Sequence, residues 1–248
     1  MKDSEDFLRM PIWYPVLAGH TFLTSFVKLR ASALRALIDG ETEEDCEDDD
    51  DLNPAVEEVI EDLRRPMAAI PGNCFVCVDR CAPTDTERFY GKRGAVYSPQ
   101  SAWKYLALSE KVRNAARRGE VEYICIRPFR RMNRTREFRL FIRDRKLNAM
   151  SQYYLVRHFR RLEGVKKHYW EMAEDFVADI AWLLPLKDLV MDIYFTSSEK
   201  ILIIDLNPWG DPTDPLLLRR WDRDWKKPAG IVLMPPPTRI SGDVNVSF

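Results

Sequence analysis

The sequence has no apolar run that approaches the 18 or more residues of a membrane-spanning helix. Its first residues, MKDSEDFLRM, also lack the basic stretch followed by an apolar stretch that is typical of a signal peptide. These two absences exclude an integral membrane protein and an exported protein from the expected classes. We therefore expect a cytoplasmic protein without a membrane partner.

Cysteine and histidine are scarce, with five and three residues in the chain. An odd number of cysteines without an export signal favours reduced thiols over disulfides. Cys74, Cys77 and Cys81 have a C-x2-C-x3-C spacing, which invites a metal-cluster interpretation. Positions 74 and 77 of one strand point to opposite faces, so a structural role is favoured over a metal site. The histidines form no recognisable pair with these thiols, and a Cys-His nucleophile is not indicated.

The balance of charges is very uneven along the chain, although the formal net charge is only -1. Residues 39–51 contain ten acidic residues and no basic residue, which predicts a disordered acidic insertion. By contrast, nine basic residues lie between Arg127 and Lys146, and more follow between Arg157 and Lys167. This bias favours an anionic ligand such as a polyphosphate or a nucleic acid backbone.

The pattern of apolar residues predicts an α+β fold with antiparallel sheets and packed helices. Helices and hairpin-like strands alternate irregularly, which favours this class over a doubly wound parallel sheet. Helices are expected at residues 54–65, at 98–119 with Ser98 as the N-cap, and at 165–184. Strands are expected at residues 74–79, 121–127, 137–143, 147–154, 189–195 and 201–206.

The strand at residues 137–143 alternates strictly between two faces. Phe138, Leu140 and Ile142 are expected to face the core, while Arg139 and Phe141 belong to a charged outer face. The next strand is expected to pair with it through a turn at residues 144–146.

The last two strands are predicted to bring oxygen ligands together. If Ser198 and Glu199 form a two-residue turn, Asp192 lies opposite Asp205, and Asn207 points to the same face as Asp205. At about 5 Å and an effective dielectric of about 20, the two carboxylates repel by about 3 kcal/mol, which a divalent cation would reverse. These are suitable ligands for Mg²⁺ shared with phosphates. The alternative is a longer turn, which shifts the register by one residue and leaves one Asp facing solvent.

The string Ile204–Gly210 (IDLNPWG), followed by Thr213–Leu217 (TDPLL), resembles the signature of the cell-division-cycle-protein-123 family, whose members are divergent ATP-grasp proteins. The resemblance extends from Trp13 to Trp221, because further blocks occur in the family's order. These blocks are Trp13-Tyr14-Pro15, Ala82-Pro83-Thr84-Asp85, Glu137-Phe138-Arg139, Ser151-Gln152 and Asp192-Ile193-Tyr194.

The resemblance implies an ATP-grasp-like architecture of two lobes that hold ATP and Mg²⁺. The lobes are expected at residues 1–125 and 126–248, with the nucleotide site carried by the second lobe. The family's adenine-contacting hinge would fall at residues 126–129, and Arg139 would face the phosphates. The nucleotide-binding residues implied in this way are Arg127, Phe129, Arg139, Asp192, Asp205 and Asn207, of which Asp192, Asp205 and Asn207 would bind the metal.

Two positions depart from the family's pattern. Cys77 stands where family members carry a phosphate-contacting Lys, and Tyr153 stands where they carry an Arg after Ser-Gln. Two phosphate-side cations are therefore missing. Either Lys92 or Arg93, in the loop between Gly91 and Gly94, substitutes for them, or nucleotide binding is weak or lost. We expect the substitution.

Three functions are compatible with these features. The first is an ATP-Mg-binding protein that acts on or assembles a protein partner, which in the eukaryotic family is translation initiation factor 2 through its gamma subunit. The second is an ATP-dependent carboxylate-amine ligase that modifies a protein or peptide. The third is RNA binding or RNA repair, which the basic residues after Arg127 motivate. Catalytic residues are not identified, and the sequence leaves open whether the protein is an enzyme.

Overall fold

The computed structural model of the protein describes residues 4–42 and 53–237. The acidic insertion predicted at residues 39–51 therefore lies mostly outside the described residues. Its first residue, Asp39, ends a helix, and Gly40 caps that helix with a φ of 78°. A left-handed backbone of this kind is a common helix stop, and glycine adopts it without steric cost.

The chain divides into two compact units. The first unit comprises residues 1–132 and 202–207, and the second comprises residues 133–201 and 208–248. The lobe boundary expected between residues 125 and 126 lies inside a strand of the first unit.

The first unit contains a three-stranded antiparallel sheet with the order β1-β3-β2. One face of this sheet packs against helices, and Val76, Ile124 and Ile126 are fully buried there. The elements of the unit are α1 (Met10–Leu17), β1 (Ser25–Lys28), α2 (Ala31–Asp39), α3 (Pro54–Ala68), β2 (Cys74–Val78), α4 (Glu87–Lys92), α5 (Pro99–Ala107), α6 (Glu110–Arg117) and β3 (Tyr123–Pro128).

Helix α3 confirms the amphipathic helix predicted at residues 54–65 and extends it to Ala68. The Asn53 side chain accepts a hydrogen bond from the backbone N–H of Ala55 at 2.8 Å, and Pro54 occupies the first turn, where it costs no intrahelical hydrogen bond. The apolar positions of the predicted stripe are all buried in the core. They are Val56, Val59, Ile60 and Leu63.

The single helix predicted over residues 98–119 is wrong, because the chain forms two helices there. Ser98 caps α5 as predicted, and its side chain accepts from the N–H of Ser101 at 3.1 Å. Helix α5 ends at Ala107, and Ser109 then caps α6 by accepting from the N–H of Val112 at 3.1 Å. Asp85 holds this second cap, because its carboxylate accepts from the Ser109 hydroxyl at 2.5 Å. A serine inside an apolar periodic stretch thus starts a new helix.

A buried ion pair attaches the N-terminal segment to the sheet of the first unit. The Arg9 Nε donates to Asp79 at 3.0 Å, and both side chains are buried. The other carboxylate oxygen of Asp79 accepts backbone N–H groups of Glu122 and Tyr123 at 3.0 and 2.6 Å. Asp79 therefore joins helix α1 and the ends of β2 and β3 at one point.

In the second unit the strands follow the order β6-β4-β5-β8. Strand β4 is antiparallel to β5 and β6, whereas β8 pairs with β5 in parallel. The turn at Asp144 and Arg145 joins β4 to β5, in agreement with the turn predicted at residues 144–146. The elements are β4 (Glu137–Arg143), β5 (Lys146–Gln152), α7 (Arg160–Ile180), β6 (Leu189–Phe195), β7 (Ile201–Pro208, whose residues 202–207 belong to the first unit) and β8 (Gly230–Val232).

The charged outer face expected for β4 is wrong at Phe141, which is fully buried. Three tryptophans cover this side of the strand: the ring centres of Trp221 and Trp225 each lie 5.6 Å from that of Phe141, and that of Trp209 lies 6.5 Å away. Phe138, Leu140 and Ile142 are also fully buried, as predicted. Both faces of the strand are therefore covered, because residues far along the chain fold back over the second face.

The α+β class with antiparallel strands and packed helices is confirmed by these elements. Helix α7 begins at Arg160, five residues before the start predicted from the sequence, and a short 3-10 helix over Ala181–Leu183 follows it. Within residues 4–42 and 53–237, no helix combines the length and apolar character that crossing a bilayer requires.

Replacing Asp79 by Asn tests the N-terminal anchor. The substitution keeps the side-chain shape but leaves the buried Arg9 without its main carboxylate, so we expect a loss of about 3 kcal/mol in the free energy of unfolding. Urea denaturation followed by circular dichroism measures this. Glu122→Gln is the control, because the Glu122 side chain is half exposed and its pairing with Arg9 should contribute less than about 1 kcal/mol. Equal losses in the two variants would contradict this account.

Candidate functional site

The Arg139–Asp192 pair lies at the centre of the sheet in the second unit, where Arg139 of β4 is directly opposite Asp192 of β6. The guanidinium donates two parallel hydrogen bonds, from Nε to Oδ1 at 2.7 Å and from Nη2 to Oδ2 at 2.8 Å. Both residues are buried, with 7% and 6% of their surface exposed. A bidentate pair in this environment fixes the orientation of both side chains.

The charge of Arg139 is retained in spite of its burial. Burial alone would lower the pKa of the guanidinium, but the negative charge and hydrogen bonds of Asp192 outweigh it and raise the pKa above its usual value. The third guanidinium nitrogen, Nη1, donates to the backbone oxygen of Asp214 at 2.7 Å. Arg139 is therefore a permanent cation whose three nitrogen atoms all have partners.

Four of the motifs found in the sequence meet around this pair. Ser151 of β5 lies opposite Arg139 on the other side of β4, and its hydroxyl oxygen accepts from the N–H of Leu217 at 3.3 Å. Asp214 and Leu217 belong to the TDPLL string, and Asp192 belongs to the Asp-Ile-Tyr block. Residues that are up to about 80 positions apart thus form one cluster, which we call the Arg139 cluster (Arg139, Ser151, Asp192, Asp214 and Leu217).

Tyr153, which occupies the family's Arg position, packs against Arg139. The ring centre of Tyr153 lies 5.3 Å from the guanidinium carbon, within the range of a cation-π contact. Tyr153 is 40% exposed, whereas Arg139 is buried. The tyrosine therefore covers the guanidinium instead of adding a second positive charge, a contact that the sequence did not indicate.

The turn before β7 differs from the two-residue turn assumed in the sequence analysis. The N–H of Thr196 donates to the backbone oxygen of Lys200 at 2.8 Å, so three residues lie between the paired positions. Glu199 has a φ of 58°, which is typical of the bulge residue that closes a three-residue hairpin loop. The assumed pairing of Thr196 with Ile201 is therefore wrong at the turn. The metal-binding role of Asp192, Asp205 and Asn207 stays a prediction.

In the first unit, the middle of β7 is attached to the N-terminal region. The Thr21 hydroxyl donates to the backbone oxygen of Ile203 at 2.6 Å, and Arg127 Nη1 donates to that of Ile204 at 2.8 Å. Asp205 and Asn207 follow these contacts and are half-buried. One Asp205 oxygen accepts from the N–H of Leu206 at 2.9 Å.

The side chain of Arg127 is buried and makes contacts with three other segments of the first unit. Besides Ile204, its guanidinium contacts the Thr24 hydroxyl at 3.0 Å and the Met10 sulfur at 3.0 Å, and it is 5% exposed. The N–H of Phe129 donates to the backbone oxygen of Asn73 at 2.9 Å. Arg127 and Phe129 therefore connect segments of the first unit. The adenine-binding role expected for them stays a prediction.

Cys77 faces another cysteine instead of a charged group. It is buried and lies directly opposite Cys125 of β3. Burial raises the pKa of the Cys125 thiol, and Cys77 raises it further. The nearby Cys81 thiol has a pKa of about 12, raised mainly by burial, opposed by Lys111, and raised further by Cys77 and Asp205. The position of the family's Lys therefore carries a buried cysteine side chain instead of a cation.

The donor chemistry of the predicted trio fits Mg²⁺. Two carboxylates and an amide supply only oxygen ligands, as this cation requires. Arg139 donates one hydrogen bond to each oxygen of Asp192 and thereby holds this carboxylate in one orientation. In the described part of the chain, no group of three or more His, Cys, Asp or Glu side chains is arranged to hold a metal. The predicted trio contains two such residues and depends on Asn207 for its third ligand.

Substituting the buried pair tests whether its two charges stabilise the fold as a unit. Arg139→Met and Asp192→Leu should each lower the free energy of unfolding by about 3–5 kcal/mol, because each removes one charge of the bidentate pair and leaves the other charge buried. The double variant should recover to within about 2 kcal/mol of the wild type, since no buried charge remains. Urea denaturation of the four proteins checks this. Additive losses in the double variant would show that the pair does not act as a unit.

Part of the chain is similar in sequence to known proteins. The translation initiation factor eIF2 assembly protein of Kluyveromyces lactis is 37% identical over 98 residues, covering 38% of this chain and 26% of that protein. The protein of the same name from Xenopus laevis is 37% identical over 82 residues, covering 33% and 24%. The matched segments therefore span about a quarter of these relatives' lengths.

The fold is similar to a structure of Cdc123 from Schizosaccharomyces pombe. The TM-score is 0.76 at 18% sequence identity, and the match covers 95% of this chain and 98% of that chain. The model of the D123 family matches residues 101–224, which is half of the chain and contains the whole Arg139 cluster. The resemblance inferred from the sequence motifs is therefore confirmed, and the chain belongs to the D123 family.

Proposed function

We propose that the protein binds ATP with Mg²⁺ and takes part in the assembly of a protein complex, with eIF2 or a related translation factor as the partner. Membership of the D123 family and the similarity to proteins named as eIF2 assembly proteins support the assembly role. The observation that carries the nucleotide-binding part is the Arg139–Asp192 pair, a buried cation and carboxylate at the positions of two family motifs.

Within this proposal, Arg139 is the phosphate-side cation and Asp192 is a metal ligand. Asp205 and Asn207 would supply the remaining protein oxygens, and Mg²⁺ bound by the three residues would offset the negative charge of the ATP phosphates. The bidentate hydrogen bonds hold the Asp192 carboxylate in one orientation before a ligand arrives. Such preorganisation lowers the entropic cost of binding.

The missing cations at positions 77 and 153 reduce the positive charge available to the phosphates. Cys77 lies opposite Cys125, and the Tyr153 ring lies over the Arg139 guanidinium. The Lys92 ammonium donates to the Tyr97 hydroxyl at 3.2 Å, and Arg93 donates to the backbone oxygen of Met132 at 3.3 Å. Both contacts are partly exposed and can be exchanged, so substitution by Lys92 or Arg93 remains part of the proposal.

Isothermal titration calorimetry with ATP tests the nucleotide site. We expect the wild type to bind ATP in the presence of Mg²⁺, and binding to weaken by about tenfold or more with EDTA or in Asp205→Asn, a loss of about 1.4 kcal/mol. Asp222→Asn is the matched control, because Asp222 is exposed and makes only a 3.5 Å contact with Arg220. Binding by the wild type that is absent, or equal in Mg²⁺ and EDTA, would overturn the nucleotide proposal and leave the assembly role to be tested separately.

An assembly assay tests the protein partner. The subunits of eIF2 are produced separately, mixed with or without this protein, and separated by size-exclusion chromatography. We expect the wild type with ATP and Mg²⁺ to increase the amount of assembled complex, and Asp205→Asn to increase it less. Measuring ADP in the same mixtures shows whether ATP is consumed. No effect of the wild type on assembly would contradict the proposed partner.

A further inference from the structure

The basic residues on either side of β4 and β5 are only partly accounted for by the nucleotide site. Arg139 is buried in its cluster, but Arg134 before β4 and Arg157 and Arg160 after β5 lie at the surface of the second unit. The structure places these two groups next to each other, although about 20 residues separate them in the chain.

Two arginines and two aromatic rings form a continuous row of cation-π and ring contacts at this surface. The guanidinium carbon of Arg134 lies 4.3 Å from the ring centre of Tyr154, and its Nη1 donates to the Tyr154 hydroxyl at 2.7 Å. The rings of Tyr154 and Phe159 are 6.0 Å apart with an angle of 34° between their planes. Arg157 lies over Phe159 at 5.1 Å. We call these residues the arginine–aromatic ladder (Arg134, Tyr154, Phe159 and Arg157).

The ladder is held in place by contacts from several segments. Arg161 of α7 donates to Asn133 at 3.2 Å and to the Thr135 hydroxyl at 2.5 Å, which connects the helix to the segment before β4. The buried Gln152 side chain donates to the backbone oxygen of Arg157 at 3.1 Å. The loop that carries Tyr154 and Phe159 is therefore attached at both of its ends.

Unpaired cations flank the ladder. Among residues 4–42 and 53–237, the side chains of Arg136, Arg157 and Arg160 make no ion pair or hydrogen bond, and the Arg157 guanidinium lies over the Phe159 ring. Arg134, Arg157 and Arg160 are exposed. Exposed, unpaired arginines beside fixed aromatic rings can neutralise phosphates and offer planar surfaces at the same time.

We propose that the arginine–aromatic ladder and the adjacent Arg160 form a binding surface for single-stranded RNA. Unstacked bases pack on aromatic rings and on guanidinium planes, and the arginines at the two ends of the ladder are exposed for such packing. Arg160 and Arg136 supply cations for the phosphate backbone. An acidic protein segment would bind the positive charges, but it has no bases to pack on the guanidinium planes and rings. RNA matches both the charge and the planar groups of the ladder.

Fluorescence anisotropy with a labelled, unstructured RNA of about 12 nucleotides tests this proposal. The full chain is titrated at salt concentrations from about 50 to about 200 mM. The variant R157Q/R160Q should bind about tenfold more weakly. The slope of log affinity against log salt concentration should decrease in magnitude by about 1.4, since each lost phosphate contact contributes about 0.7 for single strands. Y154L removes a ring without a charge, so it should weaken binding with an unchanged salt slope.

The matched control is R143Q/K146Q, which removes the same charge from two exposed residues at the β4–β5 turn of the same unit. This control should keep most of the affinity. Circular dichroism shows that each variant is folded, and R157Q/R160Q remains informative if Y154L is not. Equal loss in both double variants, or no binding by the wild type, would overturn the proposal. Displacement of the RNA by polyglutamate of equal charge would also overturn it, in favour of an acidic protein ligand.

Discussion

The buried salt bridge between Arg139 and Asp192 is the interaction on which the second unit and the candidate site both depend. Its two parallel hydrogen bonds join the central strands β4 and β6, and the remaining nitrogen of Arg139 binds the backbone of Asp214. A buried charge is tolerated only when its partner is present, so neither residue can be changed alone at low cost. The same constraint holds a cation and a carboxylate in fixed positions on neighbouring strands of the sheet.

The departures from the family's pattern have a consistent physical character. At positions 77 and 153 a cation is replaced by a residue that packs: Cys77 lies against Cys125, and Tyr153 lies over Arg139. Neither replacement leaves a buried polar group without a partner. Both positions therefore contribute packing contacts instead of charge, which bears on the phosphate site that we propose. Arg139 becomes the main phosphate-side cation of the proposed site.

The two anionic ligands that we propose call for different arrangements of arginine. In the Arg139 cluster the guanidinium is buried and paired, which gives orientation and little salt sensitivity. In the arginine–aromatic ladder the guanidinium groups of Arg134 and Arg157 are exposed and stacked on rings, which favours a flexible ligand with planar groups. The basic bias seen in the sequence is thus divided between two environments that composition cannot distinguish.

The sequence by itself determined the elements with a strong local period, including the bounds of β4 and β6, the apolar stripe of α3 and the motifs that place the chain in its family. Alternation and capping act within a few residues, so they can be read directly from the chain. The tertiary structure decided which residues cover Phe141, where the helix predicted at 98–119 breaks, and how Arg139 meets Asp192. These outcomes depend on contacts between residues that are distant along the chain, and the local pattern carries no information about such contacts.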